Sequence, residues 1–456
     1  MAKLGNKDVN MLSGSITKGL LTISIPIMIM NVVQSMFNII DMTILKSYDA
    51  GGGSAVGAVG VCGTLITTIT GLVIGISSGA NVVIARHIGR RDKASVERAV
   101  GTSMAFSAAS GLLLAFIGIV LADLLLKLVN CPDKLLDQAT TYFRLYFAGV
   151  PLSMIYNFSA SVLRSSGNSR QPMIFLTVGG IVKVLLTYLF IAIHNMGVVG
   201  VALATIVSWV VMTSLSVGAT MFTDSIIKLR LKHIRFYKQE LKEILKIGVP
   251  AGLQKGLHSI ANVIISATVN TFGDQATTGI SIANQFDGIL YQVSCATSFA
   301  VMPYVSQNVG ARNIKRAMES IWKGILITVA LGAGFGALSA IFSNQLSSIM
   351  SSDPVVIGYS RQKMVIISST YFICGINEIF GAALRGMGKP VAATTSTLVF
   401  MCILRFVWVY LVFPLCPTLT FLYLVWPIGW TLSIVTVLFT FIPTAKKLKK
   451  TALQGV

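Results

Sequence analysis

Charge is the scarcest ingredient of this chain. Only 11% of its 456 residues are Asp, Glu, Lys or Arg, where a soluble domain carries about 25%. Apolar types supply 54%, which excludes a water-soluble globule and predicts an all-α polytopic membrane protein. Histidine is nearly missing: His87, His194, His233 and His258 fall in no HExxH or similar pattern, so no metal is expected. Six cysteines lack CxxC spacing and lie mostly in apolar runs, where a thiol acts as a small hydrophobe. No disulfide framework and no cofactor follow from them. A GxxxxGK[ST] loop is absent, which removes ATP as a partner, and no nucleophile–base set stands at fixed spacing, which removes an enzyme.

Apolar runs, in contrast, are plentiful. Twelve of them, from 16–45 to 419–443, reach the roughly 20 residues that a bilayer requires. The opening "MAKLGNKDVNMLSGSITKG" is too polar for a secretory signal peptide, so the first run is expected to remain as a span. The formal charge of +20 suggests nucleic acid until its location is considered. If the N-terminus is cytoplasmic, 27 Lys and Arg flank the spans on that side and three (Lys46, Lys127, Lys134) on the other. That bias predicts a multi-pass protein of the cell membrane with both termini cytoplasmic, and it makes the positive charge a topology signal. Lipid, not nucleic acid, is the expected surroundings, and a monomer the expected state.

The chain also repeats itself at an offset near 221. "SVLRSSGNSRQP" (161–172) matches "AALRGMGKPVAA" (382–393), and "ARHIGRRD" (85–92) matches "SQNVGARN" (306–313). "ISIPIM" (23–28) matches "IGVPAG" (247–252), placing Pro26 over Pro250. Each half holds six spans, an even number, so the repeat is parallel about an axis along the membrane normal. The expected domains are a six-helix lobe over 1–222, a cytoplasmic linker over 223–245, a second lobe over 246–443 and a basic tail over 444–456. For the basic stretch "KLRLKHIRFYKQELKEILK" (228–246) two readings stand: a surface amphipathic helix or a solvated linker.

Charges inside spans cost about 2.5–3.5 kcal/mol on insertion scales, so they are rare and usually functional. In "MNVVQSMFNIIDMTIL" (30–45), Asn31, Gln34, Asn38 and Asp41 are spaced 3, 4 and 3 apart and form one polar stripe on a helix. Asp41 sits about two turns from the span's outer end. Desolvation favours the neutral form of a carboxylate, which is what lets a proton gradient load and unload one. Shifting the stripe by 224 gives Lys255, His258 and Asn262, with Ile265 in place of Asp41. Asp287 and Glu378 are the other embedded acids, and Arg405 lies deep in the eleventh span. Lys255 or His258 can pair with either acid, and Arg405 can face a cleft or satisfy Glu378. A static internal salt bridge is the alternative role for any of these charges.

Several motifs together resemble the multidrug and toxic compound extrusion (MATE) transporters over nearly the whole chain. They are Pro26 with the Asp41 stripe, "SSGANVVIARHIGRRD", "VLRSSGNSRQP" and "MGVVGVALATIVSW" (196–209, which contains Thr205), with the echoes "AVMPYVSQNVGARN" and "ALRGMGKP". The resemblance implies two six-helix lobes that export small organic compounds, driven by an inward proton or sodium gradient. It also implies that Asp41 takes part in coupling and substrate binding, and that Glu378 corresponds to an acidic tenth-span residue used for cations or substrates. Many members complete a cation site with a fifth-span Asn and Asp. Here those positions are Lys183 and Thr187; counted back from His194, Thr187 is expected about level with Asp41 and Lys183 one turn deeper, and an ammonium there disfavours sodium. The expected mechanism is therefore proton-coupled antiport by alternating access, with Asp41 and Lys183 as a breakable pair. The alternatives are a lipid-linked oligosaccharide flippase of the same superfamily and an exporter of an anionic or zwitterionic metabolite, the latter favoured by Lys183, Lys255 and Arg405.

Overall fold

The computed structural model describes residues 9–48, 54–129 and 131–453, and every regular element among them is helical. Residues 1–8, 49–53, 130 and 454–456, which hold parts of the predicted first lobe and tail, lie outside the described residues. Twelve long helical segments follow one another: α1 (Ile16–Tyr48), α2 (Ser54–Gly89), α3 (Lys93–Val120), α4 (Asp133–Ser165), α5 (Arg170–Ile193) and α6 (Gly197–Met221), then α7 (Lys238–Asn270), α8 (Asp274–Gly310), α9 (Ile314–Ile341), α10 (Pro354–Ser368 and Tyr371–Gly386), α11 (Pro390–Leu415) and α12 (Leu419–Ala452). Among the described residues, eight are long and apolar enough to cross a membrane on those grounds alone. The two parts of α10, bent by 44°, make a ninth. The other three, α4, α7 and α8, run 33, 33 and 37 residues. At 1.5 Å per residue each exceeds the roughly 30 Å hydrocarbon core. Their apolarity is diluted by polar side chains turned towards protein, such as Ser159 and Ser161 in α4 and Asp287 and Ser294 in α8, all buried.

The repeat is written into the backbone. Arg91 and Arg312, 221 apart, both adopt left-handed φ (58° and 59°), as do Gly167 and Gly388 (96° and 82°). A non-glycine residue with positive φ is uncommon, so an arginine in that state at matched positions marks the same turn built twice. The next residue caps the following helix in each half. Asp92 Oδ1 accepts from Ser95 N at 3.0 Å, and Asn313 Oδ1 from Arg316 N at 3.2 Å. A Cβ on Gly111 would stand 2.7 Å from Pro151 Cα, and one on Gly332 2.9 Å from Phe372 Cα, so the same helix crossing recurs at the same offset.

The two caps differ in charge, which yields a test. The Ser95 hydroxyl, then the Ser95 backbone N–H, hold the Asp92 carboxyl below its ordinary range. A depressed carboxylate contributes stability above its unfolded pKa and loses it as pH falls through the folded value. Asp92→Ala and Asn313→Ala are each expected to cost about 1 kcal/mol near neutral pH. Melting in detergent across acidic pH should show the Asp92 deficit shrinking while the Asn313 deficit holds steady.

Contacts divide the chain into two compact units. The first takes Ile29–Val249, with α4 packed against α2, α3 and α6. The second takes Val9–Met28 and Pro250–Val456, with α8 packed against α9 and both parts of α10. Both changeovers fall within a helix beside a proline, Pro26 in α1 and Pro250 in α7, where a missing N–H interrupts the hydrogen-bond ladder. These divisions differ from the boundaries at 222 and 246 expected from composition. The stretch 223–245 belongs with the first unit because it is tied to α3: Arg98 meets Glu240 at 2.7 Å, and Arg230 and His233 meet Glu97 at 3.4 Å. It is not a separate amphipathic helix. A single 3-10 turn (Leu231–His233) precedes Lys238, where α7 already begins. In the second unit, Arg316 holds the leading segment by donating to Met11 O at 2.9 Å and Ser13 O at 2.6 Å.

Candidate functional site

In the first unit, α1 and α5 are pressed together on both sides of one ion pair. On one side Phe37 occupies the space over Gly180, where a Cβ would meet its ring at 1.8 Å. On the other, Tyr48 meets Tyr188 edge-on with centroids 6.0 Å apart. Asp41 follows Phe37 by four residues and Lys183 follows Gly180 by three, so each is one turn further along the closed seam. Lys183 Nζ stands 2.5 Å from Asp41 Oδ2, with the lysine side chain 17% exposed and the aspartate 5%. Thr187, one turn beyond Lys183, is fully buried. Asp41 Oδ1 and Thr187 Oγ1 are buried without a hydrogen-bond partner among the described residues. From α4 comes the buried Tyr142, within electrostatic reach of Asp41.

The rest of the stripe stays open. Asn31 is half-buried, and Gln34 and Asn38 are exposed. They leave Asp41 as the buried end of a polar track. Thr205 is buried elsewhere on α6, where its hydroxyl donates to Val201 O at 2.8 Å. No contact joins it to Asp41 among the described residues.

The second unit gathers a larger set. On α8, Asn284, Asp287 and Tyr291 follow the same 3-and-4 spacing and point to one side. Lys363, from the first part of α10, lies 2.9 Å from Asp287 Oδ2 and also donates to Asn284 Oδ1. From α7, Lys255 Nζ donates to Tyr291 Oη at 2.9 Å, and the His258 ring stacks on Tyr291 at 6.4 Å with 14° between planes. Arg405 of α11 is 2% exposed, donates to Asn262 Oδ1 at 2.5 Å and lies 5.3 Å from the Trp426 ring. Lys363 Nζ is 5.9 Å from the same ring. Glu378 is buried on the second part of α10, within electrostatic reach of Tyr291 and Arg385.

One expected pairing is corrected here, and one choice left open by the sequence is narrowed. Asp287 takes Lys363, because the two residues face each other across the α8–α10 contact, and neither Lys255 nor His258 fills that role. Arg405 takes Asn262 and the face of Trp426, and no carboxylate lies within 4 Å of it among the described residues. Lys363, Asn284, Tyr291 and Trp426 are participants that sequence reasoning missed. The stripe rule that found Asp41 finds Asn284–Asp287–Tyr291 when applied to α8; nothing in the sequence signals Trp426.

Comparison with known proteins matches the MatE family profile to residues 26–189 and again to 250–411. Probable multidrug resistance protein YpnP of Bacillus subtilis is 26% identical over 414 residues, spanning 88% of this chain and 89% of its own. An FAD transporter of Shewanella oneidensis is 23% identical over 392 residues, 85% of this chain and 86% of its own. Among solved structures, an outward-facing multidrug resistance MATE family transporter superposes with a TM-score of 0.89 at 22% identity, covering 98% of this chain and all of that one. The last likeness concerns the fold. The double profile match coincides with the repeated turns at Arg91 and Arg312.

Proposed function

Because the chain belongs to the MatE family of membrane transporters, we propose that it is a secondary antiporter of the cell membrane that exports small organic compounds. Proton entry at Asp41 drives it, by alternating access of its two lobes. Relatives named as multidrug resistance proteins, and one named as an FAD transporter, support organic molecules as cargo. The excess of Lys and Arg on one side supports cytoplasmic termini. The observation that carries the coupling is the pair of a buried carboxylate and a lysine whose side chain is 17% exposed.

The pair acts as a switch for physical reasons. With Asp41 ionised, the ammonium and carboxylate compensate each other in a low-dielectric site. A proton delivered to Asp41 Oδ1, the oxygen without a partner, cancels the attraction and leaves Lys183 charged beside a neutral acid. Lys183 is 17% exposed and long, so it swings towards water. The α1–α5 seam then loses its ion pair, and the packing of Phe37 over Gly180 and the contact of Tyr48 with Tyr188 remain across it. Release of the proton restores the pair. A sodium ion at Asp41 would have to displace an ammonium already 2.5 Å from the carboxylate, which favours H+ over Na+ in this unit.

Reconstituted transport tests this reading. In liposomes with an imposed pH gradient, a fluorescent organic dye should accumulate against its own gradient, and an imposed sodium gradient should leave the rate unchanged. Dye movement indifferent to both gradients would rule out antiport.

A further inference from the structure

The second unit carries a charge arrangement that proton coupling at Asp41 does not use. Its bases in or near spans include Lys255, Arg361, Lys363 and Arg405, and its embedded acids are Asp287 and Glu378, the latter within electrostatic reach of buried Arg385. One acid is consumed, since Lys363 is fixed by Asp287 and by Asn284. Arg405 has a neutral environment. Among the described residues its one hydrogen-bond acceptor is the amide oxygen of Asn262, and its other neighbour is the π-face of Trp426. A guanidinium offers five N–H donors in a planar fork shaped for carboxylate, sulfonate or phosphate. Keeping one nine-tenths buried inside a membrane without a carboxylate is costly. A methionine would fill the space at lower cost if packing were its only role.

Asn262, the group that occupies Arg405, is itself exposed. Its amide can rotate away and yield the fork to an incoming anion. Lys255, His258, Tyr291 and Trp426 are all partly exposed, with His258, Tyr291 and Trp426 within reach of Arg405. They supply a second cation and three flat rings, with His258 and Tyr291 already stacked within 14° of parallel.

From this geometry we propose that the second unit holds a binding site for an aromatic organic anion, with the anionic group on Arg405 in place of Asn262 and the ring against the His258, Tyr291 and Trp426 surface. This deepens the transport reading and rests on it, because it assigns a class of cargo to one unit of that transporter. Asn262 then acts as a stand-in ligand that keeps the guanidinium satisfied when the site is empty of cargo. Lys255 adds attraction from the rim, and its contact with Tyr291 holds the ring in place.

Riboflavin and flavin mononucleotide share one ring system and differ by a phosphate, which makes them a direct probe. Binding to the purified full-length protein in detergent is read by flavin fluorescence polarisation. The phosphorylated flavin should bind about tenfold or more tightly than riboflavin, as a charge-assisted hydrogen bond implies. The gap should narrow as salt rises from 0.05 to about 0.5 M, by screening. Arg405→Gln should bring the ratio of the two affinities close to one, and Arg405→Lys should keep part of the gap, since the charge survives and the fork does not. Lys255→Gln should reduce the gap by a smaller factor. Equal affinities in the parent protein, binding of neither flavin, or a full phosphate preference in folded Arg405→Gln each overturn the proposal. The parent-protein comparison needs no variant, so misfolding of Arg405→Gln leaves it decisive. No gradient enters the assay; gradient-driven dye transport can succeed or fail independently, so failure of this site and failure of antiport are separately visible.

Discussion

Asp41→Asn reduces gradient-driven export to the level of empty liposomes while the protein remains folded and inserted. Asparagine keeps the shape of the side chain and removes its ability to exchange a proton, so the two halves of the expectation separate coupling from architecture. The folding half depends on where Lys183 goes. Removing one partner of a fully buried pair usually costs about 3–5 kcal/mol, because the remaining charge is stranded. Lys183 is not stranded: its side chain is 17% exposed, and four methylenes carry its ammonium out of the seam. The cost should fall nearer the roughly 1 kcal/mol or less of a solvent-reached pair. Yield and melting temperature in detergent read stability, and dye transport under a pH gradient reads coupling. A static bridge gives the opposite pattern, with low yield and normal transport per folded molecule. Export by Asp41→Asn at the parent rate would end the role assigned to that carboxylate.

How much of this arrangement is legible before the structure depends on the range of the signal involved. The helices follow from local composition, and α1 to α6 lie close to the apolar runs that announce them. The twofold repeat is legible because a left-handed turn needs particular neighbours: Gly89–Arg91 and Gly310–Arg312 keep their spacing because the backbone is bent identically at both places. Depth is legible as well. Counting residues from loop ends places Lys183 within one turn of the level of Asp41, and the long lysine side chain spans that turn, so the two meet. What escapes is register between helices distant in sequence. The start of α7 reads as linker because "KQELKEILK" is charged; its helical state is held by Arg98 on α3, 142 residues away from Glu240. Arg405, Asn262 and Trp426 come from three helices whose mutual rotation no periodicity encodes. Lys363 lies on the first part of α10, ahead of a 44° break that no periodicity in the sequence announces.

The contrast between the two ion pairs supplies the second large effect, the collapse of stability in Lys363→Met. Lys363 and Asp287 are 2.9 Å apart with side chains 4% and 10% exposed, so neither has a route to water of the kind Lys183 keeps. Lys363 also has two further neighbours, Asn284 and the Trp426 ring, which fix its ammonium in place. Replacing it with methionine preserves most of the volume and leaves the Asp287 carboxylate without its cation beside buried Tyr371 and Tyr423. The expected cost is about 3–5 kcal/mol, the value for an uncompensated buried charge. Adding Asp287→Leu removes that charge, and the double variant should recover most of the loss, because well-packed apolar replacements of a buried pair are often neutral or stabilising. Thermal melting in detergent on the two single variants and the double completes the cycle, with a coupling energy of about 3 kcal/mol expected for residues in direct contact. Additive losses would mean that the contact contributes nothing of its own. Strong coupling here, beside a small stability change in Asp41→Asn, would identify one pair as a fixed clamp and the other as the part that moves.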